Sequence, residues 1–383
     1  MQPFAAPLIV DHRQAGDVLV LATSAPEPLV QPWASRLGFD HVLATRWHAE
    51  GASYTGELDG PVVRGRDKVE AVRTWAEASG VRLEDSTAYG AGFSDAPLLE
   101  AVGHPVAVNP DPQLAVAAAL RRWPIRHLDV PEGVVKVWGR ELQEWARPLM
   151  RPELILHARF EFSGEEHVPR RGPAIVVFNH RSYFDPTVLG LLASRADRSV
   201  RSLGKKELFD VPIVGRLTRM MGAIRVDRGS GSDEPLDEAA RALEAGELVM
   251  IAPEGTIPRG PAFFEPELRG RWGAARLAQR TGAPVIPVGI WGTDKVWPRS
   301  SRLPILAPLQ RPLVTVSVGP PVVLEHEDLD ADTRAIMSAI VDLLPEEARG
   351  RREPTEEELR RTFPPGYRGD PDAELDRRPG TDT

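Results

Sequence analysis

Apolar residues fall along this chain in two successive blocks of strand-like runs separated by helix-spaced stretches. In the first block, residues 8–16 read as a short helix. Residues 17–23 follow with the run Val18-Leu19-Val20-Leu21-Ala22, which predicts a strand buried on both faces. Residues 28–37 return to helical spacing, Val62 and Val63 predict a short strand, and 67–79 predict a further helix. A turn at Ser94-Asp95-Ala96-Pro97 leads to a strand over 105–109 and a helix over 112–122, and Trp123-Pro124 opens a connector. Residues 134–150 place Trp138 and Trp145 seven apart and predict an amphipathic helix with both on one face.

The second block predicts strands over 174–178, 222–226, 248–252, 284–290 and 313–318, with helices over 186–193, 233–245, 271–280 and 329–344. Strands alternating with helices predict a parallel α/β architecture in both blocks. After Pro345 the apolar residues thin out and Pro, Gly, Arg and Glu dominate, so 346–383 is expected to be a disordered tail. A length of 383 residues fits two domains. The plan is a first domain over 1–125, a connector with the amphipathic helix over 126–152, a second domain over 153–345, and the tail.

Composition narrows the classes of function. Lys and Arg number 47 against 55 Asp and Glu, a net charge of −8, which speaks against a nucleic-acid partner. The absence of cysteine removes disulfides, thiolate metal sites and cysteine nucleophiles, and fits a cytoplasmic setting. No apolar stretch approaches the roughly 18–20 residues of a spanning helix. The first residues carry no basic flank and long apolar run of an export signal. Membrane contact is therefore expected to be peripheral, at the inner face of the cell membrane. Charge is also uneven. Residues 170–230 hold 12 Lys and Arg against 5 Asp and Glu, a local +7 that attracts anionic ligands or anionic lipid.

The segment richest in chemistry is Phe178-Asn179-His180-Arg181-Ser182-Tyr183-Phe184-Asp185-Pro186. His180 ends a predicted strand. Asp185 is expected to cap the next helix, with Pro186 at its first position. On a regular helix the two side chains would stand about 140° apart, so they meet only across a turn. There the carboxylate fixes the imidazole tautomer, and His180 becomes a general base for a hydroxyl group.

Three further motifs follow in order: Gly222-Ala-Ile224-Arg-Val-Asp-Arg228, then Pro253-Glu254-Gly255-Thr256, then Val285-Ile-Pro287. With His180 and Asp185 as N-H-x-x-x-x-D, this order over about 150–330 resembles the four blocks of the glycerolipid acyltransferases, the 1-acyl-glycerol-3-phosphate acyltransferase family. The resemblance implies that His180 deprotonates the hydroxyl of a lysophospholipid, with Asp185 orienting it, for attack on the thioester of acyl-CoA or acyl-carrier protein. It implies that Arg228 holds the glycerol phosphate and that Glu254, Gly255 and Thr256 shape the acceptor site. No metal or other cofactor is implied there; the acyl donor is a substrate. The family usually has Arg directly after Gly-Thr. This chain has Ile257, and Arg259 two residues on is expected to serve instead.

The first block resembles part of the haloacid-dehalogenase-like phosphatases of the phosphoserine phosphatase type. That resemblance rests on Thr23 at a strand end, Gly65-Arg-Asp-Lys68, and the segment from Ser94-Asp95 to Asn109-Pro-Asp111. It implies that Thr23 and Lys68 bind phosphate and that Asp95 helps to hold magnesium. The D-x-D-x-T nucleophile motif is missing, and the acidic position four before Asp95 is Ala91. The expected fold is thus a partial haloacid-dehalogenase-like Rossmannoid domain followed by a glycerolipid-acyltransferase α/β domain. Three functions compete with a phosphatidate-forming acyltransferase: transfer to another lipid acceptor, a non-catalytic lipid-binding scaffold, and an active phosphatase.

Overall fold

The computed structural model describes residues 5–51, 53–131, 133–226, 234–306 and 310–368, and the chain divides into two compact units, 1–132 and 133–383. In the first, α1 (Ala5–Ala15) leads to β1 (Val20–Pro26), α2 (Glu27–Leu37) and β2 (His41–Thr45), and the two strands pair in parallel. An antiparallel ribbon follows, β3 (Trp47–Glu50) with β4 (Ser53–Leu58). Then come α3 (Arg66–Ser79), β5 (Thr87–Gly90), α4 (Ala96–Ala101), β6 (His104–Val108), α5 (Pro112–Arg121) and β7 (Ile125–Arg126); β5, β6 and β7 form a parallel sheet. Ala22, Leu43, Val69, Ala88, Leu99 and Leu114 share one core.

Two local expectations fail here. Val62 and Val63 form no strand; the buried Val63 gives its N–H to Thr45 Oγ1 (3.2 Å), which satisfies the backbone without a partner strand. The β3–β4 ribbon went unforeseen because its residues are almost all exposed and leave no period-2 apolar signal.

The second unit opens with a hairpin, β8 (Lys136–Val137) and β9 (Arg140–Glu141), and a short helix α6 (Leu142–Ala146). The amphipathic helix expected over 134–150 is therefore replaced by a hairpin and little more than one helical turn. Trp138 (φ 52°) and Gly139 (φ 77°) both take left-handed backbone, the conformation of a two-residue hairpin turn. Trp138 and Trp145 still meet, edge to face at 5.7 Å, because the hairpin folds back on α6 and Trp145 Nε1 donates to Val137 O (3.1 Å).

The large sheet is then built from β10 (Arg159–Ser163), β11 (Ala174–Phe178), α7 (Asp185–Arg195), β12 (Val200–Lys205), α8 (Lys206–Asp210), α9 (Pro212–Met220), β13 (Ile224–Val226), α10 (Glu234–Glu244), β14 (Leu248–Ile251), α11 (Gly273–Thr281), β15 (Val285–Trp291), α12 (Thr293–Val296), β16 (Leu313–Val318) and α13 (Leu329–Asp342). Its seven strands lie in the order β10-β16-β15-β11-β14-β12-β13, all pairs parallel except β15 with β16. All five residues of β11 are buried, as expected of a strand covered on both faces. Pro287 lacks an N–H for the ladder. Its carbonyl accepts from Gly319 N (2.9 Å), just past the end of β16, so the missing donor falls between the β16 pairing and the bridge of Val285 with Val322.

Residues 346–368 depart from the expected disorder. They form α14 (Glu346–Arg349) and α15 (Glu356–Arg361), and they pack on the unit: Thr362 Oγ1 accepts from Gly260 N (2.8 Å) and Arg361 O from Ser300 N (3.2 Å). These are polar contacts, which composition does not signal. Residues 369–383 lie outside the described residues.

Arg201 on β12 is fully buried and bonds two carboxylates at once: Glu141 at 2.7 Å on both oxygens, and Glu247 at 2.5 and 2.8 Å. Burial pushes the Glu247 carboxyl up, yet the two carboxylates hold the guanidinium in its charged form. Gly222 makes room for this cluster. It has φ 81°, and a Cβ there would lie 2.3 Å from Arg201 Nη1. Replacing Arg201 by Met leaves two buried carboxylates without their cation. The expected loss is about 3–5 kcal/mol in urea unfolding; a loss within experimental error would refute the role of this cluster.

Candidate active site

The parallel register of β11 with β14 pairs Ala174 with Leu248 and Val177 with Ile251, a constant offset of 74 residues. Carried three residues past the last pair, it sets His180 opposite Glu254. There the His180 backbone N–H donates to Glu254 Oε2 at 2.7 Å. The site thus forms at the carboxyl ends of parallel strands, where loops leave the sheet. Asn179, fully buried, extends the ladder on the other side: its side chain donates to Ile290 O (2.8 Å) and accepts from Ile290 N (2.7 Å).

His180 Nδ1 lies 2.7 Å from Asp185 Oδ2. The same oxygen accepts from the backbone of Arg181 (2.7 Å) and Ser182 (2.9 Å). Asp185 is therefore not the cap that its place before proline suggested. It is the first residue of α7, and its carboxylate turns back to close the loop that carries His180. A carboxylate only accepts, so Nδ1 carries a proton, and in the neutral imidazole the lone pair is on Nε2. Asp185 is fully buried while the His180 side chain is 21% exposed, so a partly exposed imidazole is held by a buried carboxylate. Ser182 braces the loop, its hydroxyl donating to Trp297 O (2.6 Å) and accepting from Phe184 N (3.0 Å).

Arg181 was not singled out from sequence. It is buried, with its guanidinium 3.9 Å from the Phe263 ring centre and 4.5 Å from that of Trp291, and Nη1 donates to Phe263 O (3.3 Å). Burial works against its charge and lowers its affinity for the proton. The partners sit 82 and 110 positions along the chain, beyond any local pattern.

Burial pushes the Glu254 carboxyl up to about 8, against the opposing pull of the His180 N–H and Arg181. Gly255 takes φ 69°, and a Cβ there would lie 2.9 Å from Arg271 Nε. Thr256 Oγ1 accepts from Lys205 Nζ at 3.4 Å, and Ile257 is buried. Arg259, expected to serve the acceptor, stacks its guanidinium 4.9 Å over the Tyr367 ring. The structure thus joins His180, Asp185 and Glu254 directly. Arg228 lies outside the described residues.

In the first unit, Lys68 Nζ lies 2.6 Å from Asp95 Oδ1, while Asp95 Oδ2 accepts from Ala91 N (3.1 Å) and Gly92 N (3.2 Å). Burial raises the Asp95 carboxyl, but Lys68 and the two N–H groups outweigh it and hold it below its usual range. Thr23 Oγ1 accepts from Ala25 N (3.2 Å) within its own strand, and Asp11 sits inside α1 rather than at a strand end. Asp95 is already matched by a lysine, position 91 is alanine, and among the described residues no three His, Cys, Asp or Glu side chains gather. This donor set does not fit a magnesium ion, which calls for free oxygen ligands.

The parallel-rich α/β sheet carries this loop at its strand ends, and residues 159–291 match the acyltransferase family model. Residues 1–100 match the model of haloacid dehalogenase-like hydrolases. The chain therefore carries a haloacid-dehalogenase-like Rossmannoid domain followed by an acyltransferase domain. It is similar to a probable phosphatase of Mycobacterium tuberculosis, 39% identical over 127 residues that make up 33% of this chain and 44% of that one. It is also similar to an uncharacterized protein of the same organism, 33% identical over 171 residues, 43% of this chain and 46% of that one. Among solved structures, the 1-acyl-sn-glycerophosphate acyltransferase of Thermotoga maritima aligns at 22% identity over 53% of this chain and 78% of its own, with a TM-score of 0.38. The chain spans less than half the length of these two curated relatives.

Glu254 makes the site's electrostatics testable. Its folded pKa of about 8 lies above the ordinary carboxyl value of 4.5, so the unfolded state ionises first. The wild type therefore loses stability as pH rises from about 4.5 to about 8, and the loss is constant above that. Glu254→Gln keeps an acceptor for His180 N and removes this loss. In thermal melts its advantage over wild type is expected to grow between about pH 5 and about pH 8.5; a pH-independent difference would show Glu254 to be ionised throughout.

Proposed function

We propose that the second unit transfers a fatty acyl group from acyl-CoA or acyl-carrier protein to the hydroxyl of a lysophospholipid, with 1-acyl-glycerol-3-phosphate as acceptor and phosphatidate as product. The observation that carries this reading is the His180–Asp185 pair at 2.7 Å, in which Nδ1 is engaged by a buried carboxylate and the imidazole is 21% exposed. The match of residues 159–291 to the acyltransferase model supports the same class of reaction.

In this reading His180 Nε2 takes the proton of the acceptor hydroxyl as its oxygen attacks the thioester carbonyl carbon. The tetrahedral intermediate collapses, the carbon–sulfur bond breaks, and the thiolate leaves with the proton returned from Nε2. Asp185 keeps the ring in one tautomer and orientation throughout. Glu254, Gly255 and Thr256 line the acceptor side, and Arg228 pairs with its phosphate through charge-assisted bonds. The +7 segment supports a peripheral location on an anionic membrane face, and no helix among the described residues is long and apolar enough to cross a membrane.

His180→Ala is expected to lower transfer to a lysophosphatidate acceptor by about 10²–10⁴-fold, while a cooperative melt shows that the fold is retained even though buried Asp185 loses one partner. Full activity in this variant would refute the mechanism.

The first unit is proposed to bind phosphate weakly without turning it over, since the D-x-D-x-T motif that would supply the attacking aspartate is missing from this sequence. The full chain with magnesium is expected to release no phosphate from phosphoserine or phosphatidate. Release that is lost in Asp95→Ala would instead establish a working phosphatase.

A further inference from the structure

Helix α9 faces the wrong way for an ordinary packing helix. Its buried residue is Gly215, which lies so close to α8 that a Cβ would come within 2.0 Å of Phe209 O. At 100° per residue, Ile213 and Leu217 stand about 160° from Gly215. They are the apolar face of the helix, and they point to solvent: Ile213 is 83% exposed and Leu217 is 55% exposed, with Val214 beside them at 43%. Val211, in the turn before α9, and Leu208 of α8 are exposed as well. Arg216, also exposed, flanks this stripe in the most basic stretch of the chain. A soluble helix normally turns such a stripe inward. An exposed apolar stripe with basic flanks matches a surface of anionic headgroups over acyl chains.

Two contacts place this face. Lys205, directly before α8, reaches Thr256 in the Pro-Glu-Gly-Thr motif, so the helix pair begins at the rim of the site. Gln143 of α6 donates to Val200 O (2.9 Å) and to Met221 O at the end of α9, which ties the hairpin carrying Trp138, 88% exposed, to the same region. Exposed tryptophan is favoured at membrane–water interfaces.

We infer that α9 is the membrane-seating element of this protein: Ile213, Val214 and Leu217 enter the outer part of an anionic phospholipid layer and Arg216 pairs with its headgroups. The purpose of this seating rests on the lipid-acceptor reading above, but the seating itself is measured without any activity.

The chain has no cysteine, so one label reports one position. Ile213→Cys in the full chain carries a polarity-sensitive fluorophore. Val323→Cys, at an 87% exposed apolar position on another part of the unit, serves as the control. With vesicles of phosphatidylcholine and phosphatidylglycerol, the label at 213 is expected to brighten and shift to the blue, and the label at 323 to stay unchanged. Phosphatidylcholine alone is expected to give a much smaller response, and added salt to weaken it. Ile213→Asp with Leu217→Asp is expected to reduce vesicle co-sedimentation at least about tenfold while leaving transfer to a water-soluble short-chain acceptor unchanged.

Co-sedimentation with no change at 213 would overturn the inference, because another face would then be docking. So would a concentration-dependent dimer that the double variant abolishes, because a second copy would then cover the stripe. Absence of transfer to any acceptor, with the label at 213 responding as expected, would count against the enzymatic reading and leave the seating intact.

Discussion

Four backbone pairs between β11 and β14 hold a constant offset of 74 residues, and the chemistry of the second unit depends on that offset. A parallel register cannot slip by one residue without turning every side chain to the opposite face. Both strands are buried throughout, so slippage would drive polar loop residues into the sheet. The register therefore fixes where the loops after the strands emerge, and it brings the His180 N–H to Glu254. β15 does the same on the other side through Asn179, whose amide acts as one more rung of the ladder. The His180 backbone is thus held by the Glu254 carboxylate, and its neighbour Asn179 by its own amide.

On that frame, buried charged side chains are gathered with partners, although Asp185 Oδ1 and Arg181 Nε stay without a hydrogen bond. Asp185 takes one imidazole and two backbone donors on a single oxygen. Arg201 is matched by two carboxylates, and Arg181 is stacked between two aromatic rings. Each burial is unfavourable for a lone charge and tolerable only with its partners in place. This is why the motif glycines matter here. Gly222 leaves space for Arg201 and Gly255 for Arg271, so these positions serve the packing of arginines as well as any ligand.

The two units put similar raw materials to different use. In the second, a carboxylate orients a histidine and leaves one nitrogen open. In the first, the carboxylate of Asp95 is occupied by Lys68 and two backbone N–H groups. A carboxylate so neutralised is a poor ligand for a cation and well placed to position an ammonium group. Electrostatics therefore separate a histidine engaged by a carboxylate from a carboxylate engaged by a lysine.

Much of the layout was legible in the linear sequence, because buried parallel strands leave continuous apolar runs and their helices leave a 3.6-residue period. The runs at Ile175-Val-Val177, Leu248-Val-Met-Ile251 and Val285–Trp291 declare themselves, and so do His180 and Asp185, five apart at a strand end. Exposed or polar elements did not declare themselves. The β3–β4 ribbon has no buried face, the hairpin at Trp138 depends on two left-handed residues, and residues 346–368 are held by hydrogen bonds and by stacking such as Arg259 on Tyr367. Nor does sequence show which distant residues converge: Glu254 on His180, Phe263 and Trp291 on Arg181, two glutamates on Arg201. Local spacing encodes which face of an element is apolar, whereas strand order and register, set by the packing of the whole sheet, decide which charges share one low-dielectric interior.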